Sequence, residues 1–289
     1  MKIILILFSI FLTIKGYSQK ADTLLVNFQN HKFYFIEAKG DSNLIIFLHG
    51  GVNNPEFNKL EETPSLDFLL EENVCFIQSC IINGYNILIP VKDDSLNWLT
   101  NHNYCIEIFD SLLVQKKISK STIFISGFSD GGTASYKIFY DNSSKFDGLI
   151  MFNGYPQHSN FNQKIIYNEV KNKKIIFAST KEDKVIPYEF LRAEYANQKL
   201  FNPCTYLYLT DGNHGFNMYL KSDFNTLFDI INEQNVNTKS EPIHGFTKND
   251  ILTEFYPFRK RILRKYNFGK ELYKSNRLQK RQLKNKNIG

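Results

Sequence analysis

Ser129 stands in Gly127-Phe128-Ser129-Asp130-Gly131-Gly132, a hydroxyl side chain with glycines close on both sides. Such a stretch is the pattern of a nucleophile elbow. A sharp turn lifts the hydroxyl above a sheet, and the glycines let strand and helix approach each other without side-chain clash. A serine hydroxyl is a weak nucleophile until a neighbouring base takes its proton, and the base in turn needs a carboxylate to orient it. Both lie downstream. Asp183 sits in Thr180-Lys181-Glu182-Asp183-Lys184-Val185-Ile186-Pro187, and His214 in Asp211-Gly212-Asn213-His214-Gly215-Phe216. Glu182 and Asp211 are rival acids, although Asp211 is so near His214 in sequence that shaping the loop suits it better. His31, His102, His158 and His244 lack such a setting and read as surface residues.

The chemistry this set can perform is attack on an acyl carbonyl. Negative charge then develops on the carbonyl oxygen, and two backbone N–H groups must be aimed at it. The Asp130 amide is one expected donor. The second is expected from His49-Gly50-Gly51-Val52, at Gly51, with Val52 beside it; His49 and Gly50 are read as shaping the turn. Val52, Trp98 and Tyr155 are candidate substrate-binding residues from three irregular segments, with core or rim packing as the competing reading for the two aromatics. None of the four cysteines sits in a metal-like or redox-like motif, and no metal is expected.

These residues need elements to hold them. Thr23 to Phe28 and Lys32 to Ala38 predict an opening β-hairpin, and Leu44 to Leu48 a buried strand that delivers the glycine-rich loop. A helical pattern follows around Ser65 to Ile82, then a strand at Tyr85 to Val91 and a helical pattern from about Tyr104 to Lys117. Strand Thr122 to Ser126 enters the Ser129 turn, and a helix over Thr133 to Tyr140 leaves it. Further strands are expected at Gly148 to Phe152, Lys174 to Ala178 and Cys204 to Leu209, with a helix over Pro187 to Lys199. Repeated alternation of strand and helix implies an α/β fold, a mostly parallel central sheet with helices on both faces. Asp183 and His214 then each follow a strand, where they can reach over the sheet.

Together Phe47-Leu48-His49-Gly50-Gly51, the Ser129 motif, Asn153-Gly154-Tyr155, Asp183 to Pro187 and His214 resemble the α/β-hydrolase superfamily. Within it, the chain looks most like the phospholipase/carboxylesterase group, which includes acyl-protein thioesterases. The resemblance spans about residues 23 to 235. It implies hydrolysis of an ester or thioester without a cofactor, with Ser129, Asp183 and His214 as nucleophile, acid and base in the chain order of that fold. Asp130 departs from the glutamine usual there, and the basic C-terminus is not part of the pattern. A serine peptidase of the same fold is the alternative enzyme, and a non-catalytic binding protein on that scaffold the alternative from another class. An intact triad argues against the last.

A chain of 289 residues, 43% hydrophobic and with 26 Phe and 16 Tyr, has room for one large core with extensions. Its net charge of +6 is unevenly spread: residues 250–289 hold 12 Lys+Arg against 3 Asp+Glu, so the rest is slightly acidic. The basic character belongs to a tail, for which a solvated extension with weak contact to an anionic surface is expected, and no nucleic acid. Met1-Lys2 and the apolar run Ile3 to Ile14 have the charge and length of a secretory signal and are too short to span a bilayer, although an uncut N-terminal anchor is the competing reading. The expected division is a signal peptide at 1–18, a hydrolase domain at 19–240 and a basic extension at 241–289. Export to an oxidising compartment permits a disulfide among Cys75, Cys80, Cys105 and Cys204 without dictating one. If the signal is cut as read, the exported chain begins at Gln19, and N-terminal sequencing of secreted or periplasmic material that starts at Met1 instead rejects the cleavage.

Overall fold

The computed structural model describes residues 23–28, 31–38, 43–50, 66–90, 98, 105–110, 122–156, 167 and 169–232. Its strands are β1 (Thr23–Phe28), β2 (His31–Ile36), β3 (Asn43–Leu48), β4 (Tyr85–Pro90), β5 (Ile123–Phe128), β6 (Gly148–Phe152), β7 (Lys174–Thr180) and β8 (Thr205–Thr210). They form one eight-stranded sheet in the order β1-β2-β4-β3-β5-β6-β7-β8. The first two strands pair antiparallel, with Phe28 opposite His31, and β2 runs antiparallel to β4. Every pairing from β4 across to β8 is parallel. The expected opening hairpin and mostly parallel sheet are therefore both present.

The strands read as unbroken apolar runs because the sheet is covered on both sides. Side chains alternate: Leu44, Ile46, Leu48, Ile125, Leu149, Met151, Ile175 and Phe177 point to one face, and Ile45, Phe47, Phe124, Ile150, Phe152, Ile176 and Ala178 to the other. On the first face pack helix α2 (Asp130–Asp141), through Ala134, Tyr136, Ile138 and Phe139, and helix α3 (Glu189–Lys199), through Leu191 and Tyr195. Residues 105–110 are helical and join them through Ile108 and Phe109. The second face carries helix α1 (Leu66–Ile82), through Phe76 and Ile77, and helix α4 (Lys221–Ile231), through Phe224, Leu227 and Phe228. Each such ring or branched chain removed from water contributes about 1.5–3 kcal/mol.

Two elements differ from the sequence expectation. Helix α2 starts at Asp130, directly after the serine, instead of at Thr133. Gly131 and Gly132 belong to its first turn, where they are needed for packing and not for flexibility: a Cβ on Gly131 would overlap the Leu48 carbonyl, and one on Gly132 the Phe152 carbonyl. Helix α4 was not foreseen, although Phe224, Leu227, Phe228 and Ile231 carry the spacing of one helix face. The structure places no disulfide among Cys75, Cys80, Cys105 and Cys204. Among the described residues no helix is long and apolar enough to cross a membrane. The expected signal segment and basic extension lie outside the described residues.

The contact at Gly131 is backbone against backbone and cannot be relieved by a rotamer change. Gly131→Ala is expected to destabilise the protein by roughly 2–3 kcal/mol, the cost of overpacking a rigid site. A urea denaturation midpoint equal to that of the wild type would refute the close approach.

Candidate active site

Ser129 occupies the turn between β5 and α2 with φ 55° and ψ −117°, a conformation that costs a non-glycine residue about 1–3 kcal/mol. Hydrogen bonds on both sides hold it there. The Ser129 amide donates to the Phe152 carbonyl at the end of β6 (3.0 Å), and the Ser129 carbonyl accepts from the Thr133 amide (2.9 Å) and hydroxyl (3.1 Å). Strain at this position aims the side chain away from the helix, which leaves the first-turn N–H groups uncapped by it.

The hydroxyl meets His214. Its Oγ lies 2.9 Å from His214 Nε2, and His214 Nδ1 lies 2.7 Å from Asp183 Oδ2. Because a carboxylate can only accept, Nδ1 carries the proton that Asp183 receives, and Nε2 is left as the acceptor for the serine hydroxyl. Asp183 follows β7 and His214 follows β8, so two neighbouring parallel strands deliver acid and base to the same edge of the sheet. The base loop is anchored two residues on, where Phe216 packs against Phe47 (5.3 Å between centroids), Phe152 (5.1 Å) and Phe128 (5.3 Å). Phe128 also lies beside the imidazole, at 5.1 Å.

The Asp183 side chain is fully buried, yet it is richly supplied with donors. Oδ1 accepts from the amides of Val185 and Ile186, both at 2.8 Å, and Oδ2 accepts from Asn153 Nδ2 at 2.6 Å besides His214. Burial pushes its pKa up; the hydrogen bonds from His214, Asn153 and Ile186 and the imidazole charge outweigh it, and the carboxyl ends below its ordinary value. The rival acids are engaged elsewhere. Glu182 accepts from the Gly212 amide, and Asp211 pairs with Lys181 at the surface (2.8 Å).

The other expected residues divide into three groups. Asp130 opens α2 with its carboxylate in the first turn, where the helix dipole favours it, and its amide has no hydrogen-bond partner among the described residues. Gly51 and Val52 lie outside the described residues, as do His102, His158 and His244. Trp98 corrects the expectation of a pocket aromatic: it is wholly buried, its indole N–H donates to the His49 carbonyl (3.1 Å), and its ring meets the His49 ring edge-on. A ring with no exposed surface cannot wall a pocket, and its place here is to fix the strand exit that leads to Gly51. Tyr155 is partly exposed; its amide donates to Thr133 Oγ1 (2.9 Å) and its ring stands edge-on to Phe190 at 5.0 Å. Sequence reasoning gave no role to Asn153 or Tyr219, although an asparagine at the carboxyl end of a parallel strand is a recognisable signal. Among the described residues no group of His, Cys, Asp and Glu side chains is placed to hold a metal ion.

The strands and helices have the α/β-hydrolase fold, and the chain is similar to esterases and serine hydrolases of that fold. Within that class, residues 93–217 match the phospholipase/carboxylesterase family. Solved structures agree on the fold. The Pyrococcus furiosus esterase Pf2001 is 14% identical, with 76% of this chain and 94% of that one covered at a TM-score of 0.57. A substrate-bound fluorophosphonate-binding serine hydrolase of Staphylococcus aureus is 12% identical, with 73% and 98% covered at 0.53, and Est1E of Butyrivibrio proteoclasticus is 11% identical, with 73% and 99% covered at 0.51. No curated protein matches the sequence.

The depressed Asp183 pKa fixes the sign of one pH effect. A carboxyl whose folded value lies below its unfolded value of about 3.9 stabilises the fold above that pH, and the contribution is lost as pH falls through the folded value. Asp183→Asn is therefore expected to flatten the loss of stability on acidification below about pH 4, measured by urea midpoints across that range. Equal acid sensitivity in the two proteins would contradict the assignment.

Proposed function

We propose that this protein cleaves carboxylic esters or thioesters through an acyl-enzyme, with Ser129 as nucleophile, His214 as general base and then general acid, and Asp183 as the residue that orients and stabilises the imidazolium. The single observation that carries the reading is the unbroken hydrogen-bond chain from Ser129 Oγ to His214 to Asp183, at 2.9 and 2.7 Å. As Ser129 Oγ attacks the acyl carbon, its proton passes to His214 Nε2 and the carbonyl π electrons move onto oxygen. The Asp130 amide receives that oxyanion, and on sequence grounds Gly51 is the second donor. Collapse expels the alcohol or thiol, which takes the proton from Nε2, and the acyl group stays on Ser129. Water then repeats the cycle: it gives His214 a proton, adds to the acyl carbon, and releases the acid and the free serine.

Tyr155 is retained as a candidate substrate contact, since it is partly exposed and is tied through Thr133 to the carbonyl of Ser129. Export is proposed on the charged and apolar start of the chain, and weak contact of the basic tail with anionic surfaces on its composition.

Incubation with a fluorophosphonate probe is expected to label the wild type and not Ser129→Ala. The same substitution is expected to lower kcat on nitrophenyl esters by about 10⁴-fold or more. Folded wild-type protein that resists the probe overturns the enzyme reading. Turnover of aminoacyl amides without turnover of esters overturns the choice of ester over peptide.

A further inference from the structure

We propose that Asn153 is a positioning residue that aims the acid and the base of this site together, and that Tyr219 locks the orientation of its amide. The inference rests on the serine-hydrolase reading above and goes beyond the three triad residues. Asn153 follows the last residue of β6, is completely buried and has φ 43°, a left-handed conformation that asparagine tolerates better than most residues. Its amide is pinned to the Ala178 carbonyl of β7 (2.9 Å). So placed, one side-chain nitrogen serves two acceptors: Nδ2 donates to Asp183 Oδ2 at 2.6 Å and to Thr180 Oγ1 at 2.8 Å. The Thr180 hydroxyl in turn donates to the Asn213 carbonyl at 2.9 Å, which fixes the backbone directly before His214. The oxygen that accepts from Asn153 is the same one that accepts the His214 proton, so movement of Asn153 shifts both partners of the Asp183–His214 bond.

An amide has two faces, and only one suits this site. Turned over, Asn153 would present Oδ1 to the Asp183 carboxylate, two acceptors facing each other. Tyr219 prevents that. Its hydroxyl donates to Asn153 Oδ1 at 2.5 Å, and it remains a protonated donor because burial, followed by the charges of Asp183 and Asp223 and the neighbouring Tyr208, drives its pKa far up. The chain of donors is thus directional, from Tyr219 through Asn153 to Asp183 on one branch and through Thr180 to Asn213 on the other. The titratable groups around Asn153 are Asp183 with His214 beyond it, and Tyr219, behind which Tyr208 donates to Asp223.

Three variants of the full chain test this: Asn153→Ala, Asn153→Asp and Tyr219→Phe, assayed on nitrophenyl esters with circular dichroism to select folded protein. Asn153→Ala is expected to lower kcat by about 10²-fold, the effect of a small misplacement of catalytic groups, with KM changed by less than about twofold. Tyr219→Phe is expected to lower kcat by about tenfold in the same way. Asn153→Asp gives the readout that a packing role cannot. While ionised, the new carboxyl repels Asp183. Once the pair holds one proton, it can donate an O–H to Asp183 and still accept from Tyr219. Its deficit relative to wild type is therefore expected to shrink as pH falls from about 9 to about 6. A deficit that is flat with pH, or folded Asn153→Ala with wild-type kcat, overturns the proposal. If Asn153→Ala does not fold, the pH trend of Asn153→Asp and the kcat of Tyr219→Phe decide it. Wild-type labelling by the fluorophosphonate probe separates the two levels: loss of that labelling removes the serine-hydrolase reading itself, whereas labelled wild type with indifferent variants removes only the role of Asn153.

Discussion

The contact on which the rest depends is the close approach of helix α2 to the strand ends around Ser129. Backbone meets backbone there, since Gly131 lies against the Leu48 carbonyl and Gly127 against the Gly131 peptide. The approach forces the chain through the positive φ at Ser129, and the neighbouring strand supplies the hydrogen bond that holds the strained residue. Strain at this one position is tolerable because β5 lies in the middle of the sheet, bonded to β3 and β6 on its two sides. A side chain on such a turn cannot relax toward its own helix, so the hydroxyl is presented to whatever the adjacent strand ends deliver.

What they deliver is a buried carboxylate and the imidazole that it holds. An isolated carboxylate at the depth of Asp183 would pick up a proton instead of staying ionised. Donors from four residues reverse that balance, and two of them, the amides of Val185 and Ile186, come from the carboxylate's own loop. By contrast, the exposed pair between Lys181 and Asp211 links the same two loops across solvent, where such pairs contribute about 0–1 kcal/mol. Orientation of the acid thus rests on the buried hydrogen bonds and not on ion pairing at the rim.

Beneath the base, aromatic packing does for position what hydrogen bonds do for charge. Phe216 is held among Phe47, Phe76, Phe152, Phe224 and Tyr219, with ring centroids 5.1–5.8 Å away. Helices α1 and α4 supply Phe76 and Phe224, so elements remote from the chemistry set where His214 stands. Tyr219 belongs to both systems, its ring to the cluster and its hydroxyl to Asn153.

The sequence by itself marked out the candidate nucleophile, its glycine frame, the alternation of strands and helices and the order of the candidate serine, acid and base. Each of these is local: a turn signal, a period of apolar residues, or a polar residue placed just after a strand. Sequence and resemblance favoured Asp183 over Glu182 and Asp211, but which carboxylate faces His214 across two strands is a matter of register and side-chain direction that only the tertiary structure shows. It also moved Trp98 from a supposed pocket wall to a buried prop beneath His49, since burial of a ring in an irregular segment has no periodic signature. Asn153 drew notice only as part of the resembling segment, and Tyr219 drew none, because what each does depends on distant partners. Their partners lie 27 to 66 residues away in the chain, and only the stacking of parallel strands brings those distances down to a hydrogen bond.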